Sequence, residues 1–156
     1  MGTEPFKTIR LRTIKPVFTT KVICERAPAY LEYKRFISPQ QVYEMFTDLV
    51  SETKEHFLCL HLDGKNRIVC LDIVSIGSLN QSIVHPREVF KTALLSSAAA
   101  IILVHNHPTG DPTPSTEDIT ITRRLKEAGD LLGIKVLDHV IIGEGAYISF
   151  VEKGLL

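Results

Sequence analysis

An α/β fold, with helices packed against a mixed β-sheet, is what the sequence predicts, and three observations carry it. Runs that favour strands and runs with helical periodicity follow one another in the order βα ββ α β α ββ. The stretch from Ala98 to Val104 is continuously apolar, the pattern of a central strand covered on both faces. Between Ser115 and Leu132, the residues Ile121, Leu125, Ala128 and Leu132 recur on one face, as in a helix lying against such a sheet.

The segment from Phe6 to Cys24 is rich in Thr, Ile and Val with interleaved charges, which favours extended chain, and Pro16 divides it in two. Ser38 followed by Pro39 is a helix start, a cap and then a first-turn proline. Val42, Phe46, Leu49 and Val50 recur behind it, so a helix is expected over 39–51. Two β-rich runs, 57–62 and 67–76, flank the turn-forming residues Asp63, Gly64, Lys65 and Asn66 and predict a hairpin. A helix fits 86–97, a buried strand 98–104, and a helix 115–132 that Gly133 is placed to terminate. The Pro and Gly content of the segment after His105 excludes a regular element there. Strands near 134–142 and 146–151 close the chain.

A chain of 156 residues, 44% hydrophobic and 23% charged, fits one soluble globular domain of common size. Charge is unevenly spread. Of the 18 basic and 18 acidic residues, residues 1–35 hold eight and three, leaving ten and fifteen for the rest. The expected organisation is therefore a basic, extended arm over 1–35 and a single domain over 36–156. Such an arm can contact nucleic acid, or protect a sheet edge and join a second copy in a homo-oligomer. No apolar run approaches the roughly 18 residues of a membrane span, and the N-terminal segment has no apolar core of a secretory signal. A cytoplasmic location with no membrane partner is expected. Cys24, Cys59 and Cys70 are odd in number and far apart, and they read as reduced thiols.

His105 and His107 stand two apart at the exit of the buried strand, where a period of two turns both imidazoles to one face. Ser115 follows eight residues after His107, and Asp118 three residues later, in the first turn of the next helix. With Ser115 as the cap, Asp118 occupies the third helical position and its carboxylate can turn back toward the strand end. Two neutral nitrogens and one carboxylate oxygen are the three-ligand set of a hydrolytic zinc site, whose fourth position is left to water. Ser115 and Asp118 alone would also serve as a capping pair.

The string HNHPTGDPTPSTED resembles the signature of the JAB/MPN metalloprotease family, and the wider stretch from PREVFKTAL to VLDHVIIG resembles its bacterial RadC branch. The similarity covers residues 36–156, in a short form without the helix-hairpin-helix region of full-length RadC proteins. What the resemblance implies is a curved mixed sheet flanked by helices, similar to the cytidine deaminase fold. It further implies Zn2+ held by His105, His107 and Asp118, with Ser115 stabilising an oxyanion. The family also uses an upstream Glu just before a core strand as its catalytic acid and base. Glu55 matches it best; Glu52 and Glu88 are the other candidates. Asp138 and His139, at the start of an apolar run, are expected to orient a ligand from behind or to satisfy loop backbone. His56, His61 and His85 read as surface or strand residues.

These features point first to a zinc-dependent hydrolase of peptide or isopeptide bonds. A DNA-associated role in repair or recombination, through the basic arm, is the alternative from a different class. A scaffold that binds metal without turnover is a third.

Overall fold

The structure, a computed structural model, describes residues 8–22, 35–36, 38–77 and 84–156. Cys24 and the remaining arm positions lie outside the described residues. Within the arm, residues 8–22 form neither helix nor strand and are exposed, Arg10, Arg12, Lys15 and Lys21 among them.

Ser38 caps α1 (Pro39–Met45), its hydroxyl accepting the Gln41 N–H at 3.4 Å. The single helix expected over 39–51 is interrupted at Phe46, where φ is −117° and ψ is 21°, and Thr47–Ser51 continues as a 3-10 turn. Phe46 is buried against the sheet, and the Thr-Asp pair behind it has side chains that compete for backbone groups and disfavour helix. The hairpin of β1 (Glu55–Leu62) and β2 (Ile68–Gly77) turns where expected. Asp63 Oδ1 accepts the N–H groups of Lys65 and Arg67 at 2.8 and 2.9 Å, which closes the turn.

Helix α2 (Pro86–Leu95) ends two residues earlier than expected, because the Ala98 N–H turns back to Ala93 O at 3.0 Å. The next strand, β3 (Ala100–Asn106), is displaced accordingly, so His105 and Asn106 belong to it. Helix α3 (Thr116–Leu132) ends at Gly133, whose φ of 73° is left-handed. Strands β4 (Lys135–Gly143) and β5 (Ala146–Ser149) complete one five-stranded sheet in the order β2-β1-β3-β4-β5. Only the β3/β4 pairing is parallel. This is the mixed α/β architecture of a JAB/MPN-like fold. Among the described residues, no helix is long and apolar enough to cross a membrane.

The sheet is covered on both faces. Phe57, Ile101 and Leu103 pack with Val89 and Phe90 of α2 and Leu125 of α3. Leu58, Ile102, Val104 and Val140 pack with Val42 and Phe46 on the opposite side. The buried stripe of α3 is Asp118, Thr122, Leu125 and Gly129, an apolar helix face with a polar head. Burying Leu125 contributes about 1.5–3 kcal/mol and presses that polar head onto the end of β3. Strand β4 slips by one residue against β3, so that Ile101 faces Val136 but Ile102 faces Asp138. Beyond that bulge, His139 lies opposite Leu103, on the α3 side of the sheet.

Candidate metal centre

Side chains from β1, the exit of β3 and the start of α3 converge on the α3 side of the sheet. His105 is the penultimate residue of β3, and the His107 N–H still donates to Ile142 O of β4 at 3.0 Å. The loop that follows is held down on β4. A Cβ at Gly143 would meet Gly110 O and Pro112 Cδ, both at 2.5 Å, so only glycine permits that approach. The fixed loop presents Asp111 O to the ring of His107, whose Nδ1 donates to it at 2.8 Å. A carbonyl can only accept, so Nδ1 carries a proton and Nε2 is the nitrogen turned toward the site.

Ser115 and Asp118 form a reciprocal capping box. Ser115 Oγ accepts the Asp118 N–H at 3.0 Å, and the Ser115 N–H donates to Asp118 Oδ2 at 2.7 Å. This fixes the carboxylate with Oδ1 3.2 Å from His105 Nε2 and Oδ2 3.3 Å from His107 Nε2. The two imidazole Nε2 atoms are 2.9 Å apart, and Glu55 Oε1 is 3.5 Å from His105 Nε2. Ligand atoms from Glu55, His105, His107 and Asp118 all lie within 4.8 Å of one another. Donors at about 2.0–2.2 Å from a tetrahedral zinc would stand roughly 3.3 Å apart, close to the spacings seen here.

Burial alone would raise the Asp118 pKa, but the adjoining rings of His105 and His107 and the Ser115 N–H hold it well below the usual carboxylate range. It is a carboxylate throughout the neutral range. Burial lowers the pKa of His105, which keeps it neutral and able to act as a ligand. Glu55 behaves in the opposite sense. Burial pushes its pKa up to about 7, with His107 opposing and Asp118 reinforcing the shift. Its Oε2 is buried without a hydrogen-bond partner, an orphaned acceptor at the rim of the cluster. A groove of about 500 Å³ is lined by Thr47, Asp48, Ser51, Pro108, Gly110 and Glu144, none of them a metal-facing residue.

The other expected site residues divide. Glu52 is exposed and follows the 3-10 turn. Glu88 lies in the first turn of α2, where Lys91 Nζ approaches Oε2 at 2.9 Å. His139 Nε2 is 2.7 Å from His105 Nδ1, directly behind a ligand. Asp138 does not stand behind a ligand but takes the other role expected of it, satisfying backbone, because adjacent residues of a strand point to opposite faces. It accepts from Ser149 Oγ at 2.6 Å, from the Val151 N–H at 3.1 Å and from the His139 N–H at 2.7 Å, and so fastens β4 to the chain after β5. His61, expected at a surface or strand position, is on β1 and fully buried.

Two functional side chains were not anticipated. Asn106, between the two histidines, holds the backbone on either side of Glu55. Thr122 lies one helical turn after Asp118 and bonds to both Asp118 O and His139 Nδ1, each at 2.6 Å. A polar residue at a helical spacing that is otherwise apolar was the available signal for Thr122.

A mixed sheet whose central strand delivers two histidines to an acid in the first turn of the next helix defines a JAB-type domain with a site that could hold a metal ion. The RadC-like JAB domain matches residues 36–155, and the chain belongs to that family. Among its relatives, the UPF0758 protein of Geotalea uraniireducens is 68% identical over 124 residues, covering 79% of this chain and 54% of the relative. The UPF0758 protein of Pelobacter propionicus is 68% identical over 123 residues, covering 78% and 54%. That of Methanosarcina acetivorans is 55% identical over 124 residues, covering 79% and 54%. The chain thus spans about half the length of the curated relatives it matches.

Proposed function

We propose that the protein is a zinc-dependent metallohydrolase that cleaves peptide or isopeptide bonds. The observation that carries this reading is the convergence of His105, His107 and Asp118 with Glu55, a half-buried acid with an orphaned oxygen, within 4.8 Å. The donor set, two imidazoles and one carboxylate, suits zinc with one position left open. Zinc bound there would supply a Lewis acid and lower the pKa of a water to about 7.

The chain's own residues do the rest. Glu55, with a pKa near 7 in the metal-free site, can take a proton from the attacking water and return it to the leaving amine. Ser115 Oγ accepts from Asp118 N–H within the capping box, which leaves the hydroxyl proton to donate to the developing oxyanion. Asp118 stays ionised and oriented because the Ser115 N–H holds Oδ2. The free thiols of Cys59 and Cys70 suit a reducing compartment such as the cytoplasm.

The test is metal content followed by a survey of peptide and isopeptide substrates, with a chelator control. Chelator-sensitive cleavage supports the reading. A fully zinc-loaded protein that cleaves none of them would favour a metal-holding scaffold. A second reading, association with nucleic acid, has its support in the exposed, acid-free segment 8–22 with Arg10, Arg12, Lys15 and Lys21.

A further inference from the structure

Behind the metal-facing side of His105 lies a short chain of buried polar groups ending on a backbone carbonyl. Thr122 Oγ1 is 2.6 Å from Asp118 O and 2.6 Å from His139 Nδ1. His139 Nε2 is in turn 2.7 Å from His105 Nδ1. All three side chains are almost completely buried. Phe57 and Phe150 pack on His139, with ring centroids 5.6 and 4.6 Å away.

The directions of these bonds follow from the one member that can only accept. Asp118 O has no proton to give, so the Thr122 hydroxyl donates to it. The Thr122 oxygen then accepts from His139, which places the His139 proton on Nδ1. A fully buried imidazole between aromatic rings stays neutral, so His139 Nε2 is a lone pair and accepts from His105 Nδ1–H. His105, also neutral and fully buried, is left with a bare Nε2 pointing at Asp118 and His107.

We propose that Thr122 is a positioning residue for the metal centre: anchored on Asp118 O, it sets the tautomer of His139 and through it presents the Nε2 lone pair of His105 to the metal. This rests on the reading of the site as a metal centre. If His139 carried its proton on Nε2 instead, it would donate to His105 Nδ1. The His105 proton would then stand on Nε2, where it blocks coordination. The hydroxyl of Thr122 and the carbonyl of Asp118 exclude that arrangement, so one metal ligand orients another through its own backbone.

The experiment has two arms. In the metal-free wild-type chain, nitrogen-15 NMR of the imidazoles should show the Nδ1–H tautomer for both His105 and His139. Finding the Nε2–H form of His139 would overturn the proposal, and this arm needs neither a variant nor bound metal. In the second arm, zinc affinity is measured by competition with a chromophoric chelator. Thr122→Val has the same shape without the hydroxyl and should weaken binding by about 10–100-fold, whereas Thr122→Ser should restore it. A folded Thr122→Val protein that holds zinc as tightly as the wild type would also overturn the proposal. Failure of the wild type to bind zinc would instead defeat the functional reading, and the tautomer measurement would still judge the proton arrangement.

Discussion

The side-chain oxygen of Asn106 accepts the backbone N–H of His56 at 2.7 Å, while its amide nitrogen donates to Leu49 O and Lys54 O, each at 3.1 Å. Asn106 thereby grips the chain on both sides of Glu55 from a position between the two metal-facing histidines. Removing the amide in Asn106→Ala leaves up to three part-buried backbone groups without their partner and should lower stability by about 1–2 kcal/mol. Turnover should fall further than zinc affinity, because Glu55 is displaced while the ligands keep their own supports. Urea unfolding, chelator competition and steady-state rates on the one variant would check this, and a proportional loss of affinity and rate would contradict it.

Protein purified without added metal should contain about one zinc per chain by elemental analysis. His107→Ala removes one of the two imidazole nitrogens and should lose the ion. A wild-type chain without metal affinity at neutral pH would remove the basis of the proposed chemistry.

Glu55 separates binding from catalysis. Glu55→Gln keeps the shape but cannot carry a proton, so it should retain zinc and lose turnover by a factor of about 100 or more. Unchanged hydrolysis would transfer the role to Glu52 or Glu88.

His61 gives the folded state a pH dependence of its own. Burial lowers its pKa from the ordinary 6.5, and its Nε2 has no hydrogen-bond partner. As the pH falls below about 6.5, the unfolded chain takes up a proton that the folded chain refuses, so stability declines until the lowered folded pKa is passed. The slope from this one group reaches at most about 1.4 kcal/mol per pH unit. Denaturant unfolding between pH 7.5 and 5 should show a shallower acid loss in His61→Gln than in the wild type. Parallel curves would exclude His61 as a contributor.

The arm separates the nucleic-acid reading from its competitor. If Arg10, Arg12, Lys15 and Lys21 contact phosphates, log affinity for DNA should fall with log salt by roughly 0.9 per contact. Deleting residues 1–35 should abolish that affinity and leave zinc binding intact. Absence of DNA binding at low salt would end this reading. A change of oligomeric state in the truncated protein would favour an arm that joins copies.

Much of this was legible before any coordinates. β-rich and apolar runs located the five strands of the sheet and periodicity the long helix, although the β element read first, in the arm, is not a strand over 8–22. The spacing of His105, His107, Ser115 and Asp118 anticipated their convergence. The displaced start of β3 was not legible, because it depends on how the Ala98 N–H closes α2. Nor was the division of Asp138 from His139 drawn from their adjacency, although strand alternation alone would have separated them. Asn106 escaped notice because its partners, Leu49, Lys54 and His56, are about fifty residues away. A buried amide at the end of an apolar strand nonetheless has to be satisfied somewhere.

The slip of β4 against β3 acts as a parity switch for the strand. Strand residues alternate faces, so a single extra position between Val136 and Asp138 exchanges the two faces for everything on one side of it. With Leu137 present, Val136 can fill the α3 side of the core while His139, three residues on, reaches His105 from that same side. An uninterrupted strand would send residues an odd number apart to opposite faces. Deleting Leu137 would therefore force a choice between the helix-facing core at Val136 and the polar chain at His139. Chains that build the site this way can exchange many apolar side chains along β4, but they have little freedom to change its length.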